Sequence, residues 1–224
     1  MGAPTTTKWT KRLANQITGG LSAPSKMPGK AFGIPAKECK TGKKLRKVKG
    51  STCHKCYALK GRYAFQNVQD AQYRRFNLLL DALANKAFAD QYVKAFSFLI
   101  SNDDEFRWQD SGDLQSSAHL DLIVAICLAT PNTKHWLPTR EYKLVLDWLK
   151  AGNQIPPNLN IRLSAHMVDG PVPEWAYAYD LTTSGVTTDH ASGNCHAQIS
   201  GSGNCDDCRA CWDTTSQHIN YIAH

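Results

Sequence analysis

The sequence predicts an α/β fold: a partial (β/α) barrel with an extended N-terminal arm and a cysteine-rich C-terminal tail. Three observations carry that prediction. Beyond about residue 100, short apolar segments alternate with segments of helical periodicity, the pattern of a parallel sheet with crossover helices. Such crossovers are right-handed, so consecutive units wind into a barrel or an open sheet. About four strands are visible, too few for a closed eight-stranded barrel in a chain of 224 residues.

Residues 1–50 are rich in Lys, Gly, Pro and Thr and read as a basic extended arm packed on the body, with turn chemistry at Thr18-Gly19-Gly20 and Met27-Pro28-Gly29. Residues 51–224 read as one domain that includes the cysteine-rich segment 190–212. Within it, Phe65, Val68, Tyr73, Phe76, Leu79 and Leu80 recur at helical spacing over 64–83, and Phe88, Tyr92, Phe96 and Leu99 over 87–101. Strand 105–110 then ends in Ser111-Gly112-Asp113. A helix over 118–129 is closed by Pro131, and strand 134–138 ends in Thr139-Arg140-Glu141. A helix over 142–151 is closed by Gly152, and strand 159–163 ends in Ser164-Ala165-His166. A short helix around 173–177 and a strand over 179–183, ending in Ser184-Gly185, complete the series. Parallel strands present their C-terminal ends on one face, and that face hosts sites. Asp110, Asp113, Thr139, Arg140, Arg162, Ser164, Thr183 and Ser184 are all expected there.

Composition excludes several classes. Hydrophobic residues make up 42% and charged residues 20%, so the chain buries a core and is neither disordered nor fibrous. No apolar run approaches the roughly 18 residues of a membrane span, and the first 20 residues lack a signal-peptide core, so a cytoplasmic protein is expected. There is no HExxH, GxSxG, Walker or GxGxxG motif. Charge is uneven: residues 1–62 hold 15 basic side chains against one acid, Glu38, and the remainder holds 11 against 18. A basic arm on an acidic body fits contact with nucleic acid or a host protein, and equally an arm that packs on its own body.

Eight cysteines in a reducing compartment point to metal or redox chemistry rather than disulfides. Cys127 lies alone in an apolar helical pattern and reads as a core thiol. Cys205, Cys208 and Cys211 form a CxxCxxC run, with Cys195 ten residues upstream. Four thiolates satisfy tetrahedral zinc or one 4Fe-4S cube. Three close cysteines with one remote favour the cube, with zinc as the alternative, and Gly193, Gly201 and Gly203 free nearby backbone N–H groups for its sulfurs. Cys39, Cys53 and Cys56 form the second group, able to hold another centre, to join the first around a single centre, or to act as a CxxC redox pair. His54 and His196 lie beside cluster cysteines, either as substitute ligands or as surface residues.

The motifs Thr18-Gly-Gly-Leu-Ser22, Phe32-Gly-Ile-Pro35, Cys53-His-Lys-Cys-Tyr-Ala58, Phe106-Arg-Trp-Gln-Asp-Ser-Gly-Asp113, Trp136-Leu-Pro-Thr-Arg-Glu141, Asn158-Leu-Asn-Ile-Arg-Leu-Ser164 and Cys205-x-x-Cys-Arg-Ala-Cys-Trp212 follow one another along the chain. Together, from about residue 18 to 212, they resemble the phage gene product 88 family. That resemblance implies a phage-encoded iron–sulfur protein acting in the infected cell. A second resemblance is architectural: a cysteine cluster, a helix, and strands ending in Gly-Asp, Thr-Arg and Ile-Arg-Leu-Ser are similar to the core of radical S-adenosylmethionine enzymes. It implies that Ser111, Gly112, Asp113 and Thr139 contact the cofactor. The superfamily's CxxxCxxC is absent, and its chemistry needs an iron without a protein ligand, which four cysteine ligands on one cube would close off.

The expectation is therefore one 4Fe-4S cluster on Cys195, Cys205, Cys208 and Cys211, with Cys53, Cys56 and Cys39 as the next candidates, set beside a barrel mouth lined by Asp110, Asp113, Arg140, Arg162 and Ser164. Redox or radical-type chemistry would use the two together. The alternative is a binding protein whose cluster or zinc is structural and whose basic arm grips nucleic acid or a host factor. The alternative predicts DNA or RNA affinity that falls steeply with salt, because phosphate contacts release counterions. Neutralising Lys43, Lys44, Arg46, Lys47 and Lys49 together should abolish it in a filter-binding titration at low ionic strength. Absence of salt-dependent binding there removes the alternative.

Overall fold

The apolar periodicities form helices α3 (Gln66–Ala84), α4 (Lys86–Ile100), α5 (Ser117–Ala129) and α6 (Tyr142–Lys150) in the computed structural model, which describes residues 8–223. Two of their starts are set by side-chain caps. Asn85 accepts from the Phe88 N–H at the head of α4, and Ser116 accepts from the His119 N–H at the head of α5, each satisfying an otherwise orphaned donor. Strands β2 (Glu105–Trp108), β3 (Lys134–Thr139) and β4 (Leu159–Ser164) lie between the helices as expected.

The sheet has six strands where four were expected. Its order is β1 (Lys30–Phe32), β2, β3, β4, β5 (Thr182–Thr187), β6 (His218–Ile222), each parallel to the next. It is an open sheet with β1 and β6 at its edges, and it does not close into a barrel. The first 50 residues are not simply an extended arm. Among the described ones, Lys11–Thr18 form α1, which packs on α4, Thr41–Leu45 form α2, and Lys30–Phe32 supply the first strand. Residues 1–7 of the expected arm lie outside the described residues. The last predicted strand is displaced by about three residues. Asp180 takes a left-handed φ of 52°, so the chain is still turning where a strand was expected, and Ser184 and Gly185 fall inside β5 rather than after it. A short helix α7 (Trp175–Ala178) precedes β5, and a short helix α8 (His196–Ile199) lies in the long connection 188–217 between β5 and β6.

The helices cover one face of the sheet. Phe106 and Trp108 of β2, Leu137 of β3, and Leu159, Ile161 and Leu163 of β4 point to it and join Phe32, Phe96, Leu120, Ile123, Val145 and Trp148 in one core. Its centre is aromatic: Phe96 stacks on Trp108 at 4.9 Å and meets Phe32 and Phe106 edge-on at 5.5 Å each. A polar chain is built into this core. Trp108 Nε1 only donates, so His135 Nδ1 accepts from it at 3.2 Å, and His135 Nε2 then carries the proton facing Thr130 Oγ1 at 2.9 Å. Burial holds His135 neutral, its pKa lowered to about 3.

The alternate residues of the same strands, Arg107, Trp136, Asn160, Arg162 and Ser164, point to the opposite face. That face is covered by loops and by the connection 188–217. Phe96→Ala removes the ring common to four aromatic contacts and should lower unfolding free energy by about 3–5 kcal/mol in urea titration. A loss under about 1 kcal/mol would mean that this aromatic cluster is not the core's centre.

Candidate metal and strand-end sites

The expected strand-end residues separate into two places. Asp110, Ser111, Gly112 and Asp113 follow β2, and Thr139 and Arg140 end β3, so these six lie at the C-terminal end of the sheet. Arg162 does not. It is the fourth residue of the six-residue β4, on the loop-covered face, and Thr183 and Ser184 are likewise inside β5. Ser164 ends β4, where its hydroxyl accepts from Ser184 Oγ at 3.1 Å.

The β2–α5 turn is built around two side chains. Gly112 has φ +85°, and a Cβ there would sit 2.3 Å from Ile34 Cγ1, so only glycine fits. Asp113 is buried and accepts from Leu114 N (2.8 Å), Thr139 Oγ1 (2.6 Å) and Arg140 N (2.9 Å), tying the end of β2 to the end of β3. Burial outweighs these bonds and raises its pKa to about 6. Asp110 is also buried. Its Oδ2 lies 2.9 Å from Ser22 Oγ, its backbone oxygen accepts from Tyr57 and Tyr63, and its Oδ1 has no hydrogen-bond partner. The Ser111 hydroxyl is buried without a partner too.

Cys39, Cys53 and Cys56 gather beside this turn. The segment carrying them is fastened to the ends of β3 and β4. Thr41 donates to Glu141 through its N–H (2.7 Å) and its hydroxyl (2.8 Å), Thr52 N donates to His166 O (2.9 Å), and Arg140 Nε donates to Thr52 Oγ1 (2.9 Å). Gly42 packs so closely that an added Cβ would meet Cys39 Cβ at 3.1 Å, Cys53 Sγ at 3.5 Å and Cys39 Sγ at 3.6 Å. Burial pushes the Cys39 and Cys53 thiols above their usual values; for Cys39, Asp113 and the other two thiols push the same way. His54 is turned away, its Nδ1 donating to Arg46 O at 3.1 Å.

The second group lies elsewhere. Cys195, Cys205, Cys208 and Cys211 all sit in the β5–β6 connection and act electrostatically on one another. Their segment lies against the loop-covered face at β2–β4, so it does not sit at the mouth of the sheet as expected. Trp212 is buried against Trp136 and donates to Phe106 O (2.9 Å), Arg209 pairs with Glu105 (2.9 Å), and Asn160 Nδ2 donates to Cys211 O (2.9 Å). Burial raises the Cys211 thiol to about 11, and Tyr221 and Arg162 act against that rise. His196 faces Asp206 at 3.2 Å. Arg107 lies between the two groups: it neighbours Cys205 and Cys211 and donates to the hydroxyl of Tyr57, the residue after Cys56. Among the described residues, no three or more Cys, His, Asp or Glu side chains are closed up as the shell of a metal ion.

Two cations face the four-cysteine group, and sequence reading missed the first. Arg107 lies over the Trp136 ring at 4.6 Å. Arg162 is fully buried, and its bonds all go to carbonyl oxygens: Thr183 O (2.7 Å), Ser216 O (2.9 Å), Ala210 O (3.1 Å) and Asp213 O (3.5 Å). The Nε of each is buried without a hydrogen-bond partner, and neither arginine forms a salt bridge among the described residues. The signal for Arg107 was present as the strict alternation Glu105-Phe106-Arg107-Trp108, which puts the charge opposite the aromatics.

Asp113 has a calculable effect on pH dependence. Its folded pKa of about 6 lies above the ordinary 3.8, so between these values the folded chain binds more protons than the unfolded one. This carboxyl therefore adds stability as pH falls from about 6 to about 4, by up to about 3 kcal/mol, and withholds it above pH 6. The difference in unfolding free energy between wild type and Asp113→Asn, followed from pH 7 to pH 4, should move in favour of wild type. A difference that stays flat would place the Asp113 pKa at its ordinary value.

No helix among the described residues is long and apolar enough to cross a membrane. No curated protein and no solved structure matches the chain. The family model described as gene product 88 matches residues 3–214, so the motifs that run from the β1 region to the last cysteines belong to one continuous pattern, and the chain belongs to the gene product 88 family.

Proposed function

We propose that this protein is a phage iron–sulfur protein of redox or electron-transfer type, with one 4Fe-4S cluster held by Cys195, Cys205, Cys208 and Cys211. The observation that supports it most is the pair of arginines. Burying a guanidinium is costly, and here the buried Arg162 and the half-buried Arg107 lie beside the cysteines, each with an unpartnered Nε and neither in a salt bridge among the described residues. A core ligated by four thiolates carries net negative charge and would add to the favourable interactions that Arg107 has with Asp110 and Arg162 with Asp213. The donor set fits a soft, thiophilic metal. When bound, such a cluster supplies one-electron transfer at a potential set by its charge, hydrogen bonds and exposure.

The chain's own residues have definable tasks in this reading. Arg107, Arg162 and the Tyr221 hydroxyl, 3.6 Å from Cys211 Sγ, would raise the potential by favouring the more negative, reduced state. Trp212 and Trp136 would exclude water from one side. The strand order, each strand parallel to and beside its predecessor, is compatible with a barrel segment, and the cluster would then sit against its loop-covered face. S-adenosylmethionine chemistry would need an iron without a protein ligand, and a cluster on four cysteines has none.

Iron and acid-labile sulfide on anaerobically purified protein test the reading. Replacing Cys205, Cys208 and Cys211 together by Ala should remove about four irons and four sulfides per chain relative to wild type. Arg162→Met should leave the iron count near wild type and lower the midpoint potential. Unchanged iron in the triple variant sinks the proposal, and one zinc in place of iron would make the four cysteines a structural clamp.

A further inference from the structure

We infer that the cleft between α1 and α3 is a binding site for a small molecule carrying two or more linked phosphates. The inference does not rest on the iron–sulfur proposal and involves none of the cysteines. The cleft encloses about 850 Å³, within the range of small-molecule sites, and Lys11, Arg12, Asn15, Lys30, Arg74 and Arg75 are among its walls. Among the described residues its lining holds five cations and no acid.

These cations do little for the fold. Lys11 and Arg12 occupy the first turn of α1, the positive end of the helix dipole, where cations are unfavourable. The residues four positions on are the amides Asn15 and Gln16, so no carboxylate answers them along the helix. Arg74 and the buried Arg75 are consecutive, and the charge of Arg74 disfavours that of Arg75. Their place is set by Gly19, which has φ +79° and whose added Cβ would lie 2.9 Å from Arg75 Cα; only glycine lets α3 come so close to the end of α1. Arg74 Nε donates to Gly19 O (3.3 Å), and Arg75 donates through Nε to Gly20 O (3.1 Å) and through Nη1 to Gly33 O (3.3 Å). The other guanidinium nitrogens remain as donors for an anion. Of the five cations only Lys30 forms a salt bridge among the described residues, with Asp103 at 2.9 Å, and Arg75 has Asp110, outside the lining, as a favourable neighbour.

One phosphate monoester carries a charge of about −1.5 to −2 at pH 7, so Lys11, Arg12, Arg74 and Arg75 together match a di- or triphosphate. Leu21, Ala23 and Leu99 give the cleft an apolar wall for the rest of such a ligand. No aromatic ring lines it among the described residues, whereas grooves for single strands use such rings to stack bases.

Calorimetric titration of the full chain with sodium pyrophosphate at low ionic strength should show one saturable site, bound about tenfold or more tightly than inorganic phosphate. Arg12→Gln with Arg74→Gln, two exposed positions, should weaken pyrophosphate binding about tenfold and leave the circular dichroism spectrum unchanged. Lys43→Gln with Lys44→Gln removes the same charge elsewhere and should keep the affinity within about twofold. If the arginine pair fails to fold, the single exposed change Lys11→Gln should still weaken binding about threefold. Absence of saturable pyrophosphate binding overturns the inference; in that case, oligothymidylate binding lost in the arginine variant would assign the cleft to a nucleic-acid strand. Equal weakening in the lysine pair also overturns it, because the attraction would then be to net charge alone.

Discussion

A parallel sheet buries both of its faces, because each strand's alternate side chains point to opposite sides and neither side is shed to solvent. Helices α3 to α6 solve that problem on one face in the ordinary way, with a continuous apolar core. On the other face there is no helical layer. Its strand residues are Arg107, Trp136, Asn160, Arg162 and Ser164, and the chain laid over them is loop: the segment from Cys39 to Tyr63 and the connection 188–217. All seven cysteines outside the helical core lie in those two coverings.

The second covering has little apolar material of its own. Trp212 is the one large hydrophobic side chain buried in the cysteine-rich stretch, and the contacts around it are polar: Asn160 and Arg162 to the carbonyls of Ala210, Cys211, Asp213 and Ser216. Long connections without regular structure are uncommon in compact domains unless they carry function. Hydrogen bonds contribute only about 1 kcal/mol each, which is modest support for such a length of chain. An inorganic core binding four thiolates would add a cross-link to this weakly packed connection and an anion to the two arginines beneath it. The same element then answers a packing deficit and an electrostatic one.

The half of the fold that was legible in the sequence is the half driven by apolar burial. Phe88, Tyr92, Phe96 and Leu99 announce α4, and Leu159, Ile161 and Leu163 announce β4, because their period matches the face they bury. β1 is three residues long, Lys30-Ala31-Phe32, too short to show a period. β5 reads Thr-Thr-Ser-Gly-Val-Thr and β6 His-Ile-Asn-Tyr-Ile; as outer strands of the sheet they are held more by pairing and hydrogen bonds, such as Thr183 to His218, than by greasy side chains. For the site, the two cysteine groups could be read from spacing. Their surroundings could not: Asp113 meets Cys39 because Thr41 is fastened to Glu141 a hundred positions away, and Arg162 faces Cys211 because the connection folds back across β4.

Between the two cysteine groups stands one short polar link. Arg107 acts on Cys205 and Cys211 and donates to Tyr57 Oη at 3.3 Å; Tyr57 follows Cys56 and donates to Asp110 O at 2.7 Å. Tyr63 packs edge-on against Tyr57 at 5.7 Å, and burial with the nearby Asp110 holds its hydroxyl protonated. Arg107 thus touches the neighbourhood of the four-cysteine group on one side and, through its bond, the tyrosine that follows Cys56 on the other. The Arg107–Tyr57 contact is the polar link between the two cysteine-bearing segments. Arg107 itself, between the core residues Phe106 and Trp108, forms no salt bridge among the described residues and has Asp110, Tyr57, Tyr63 and Tyr221 as its favourable electrostatic neighbours.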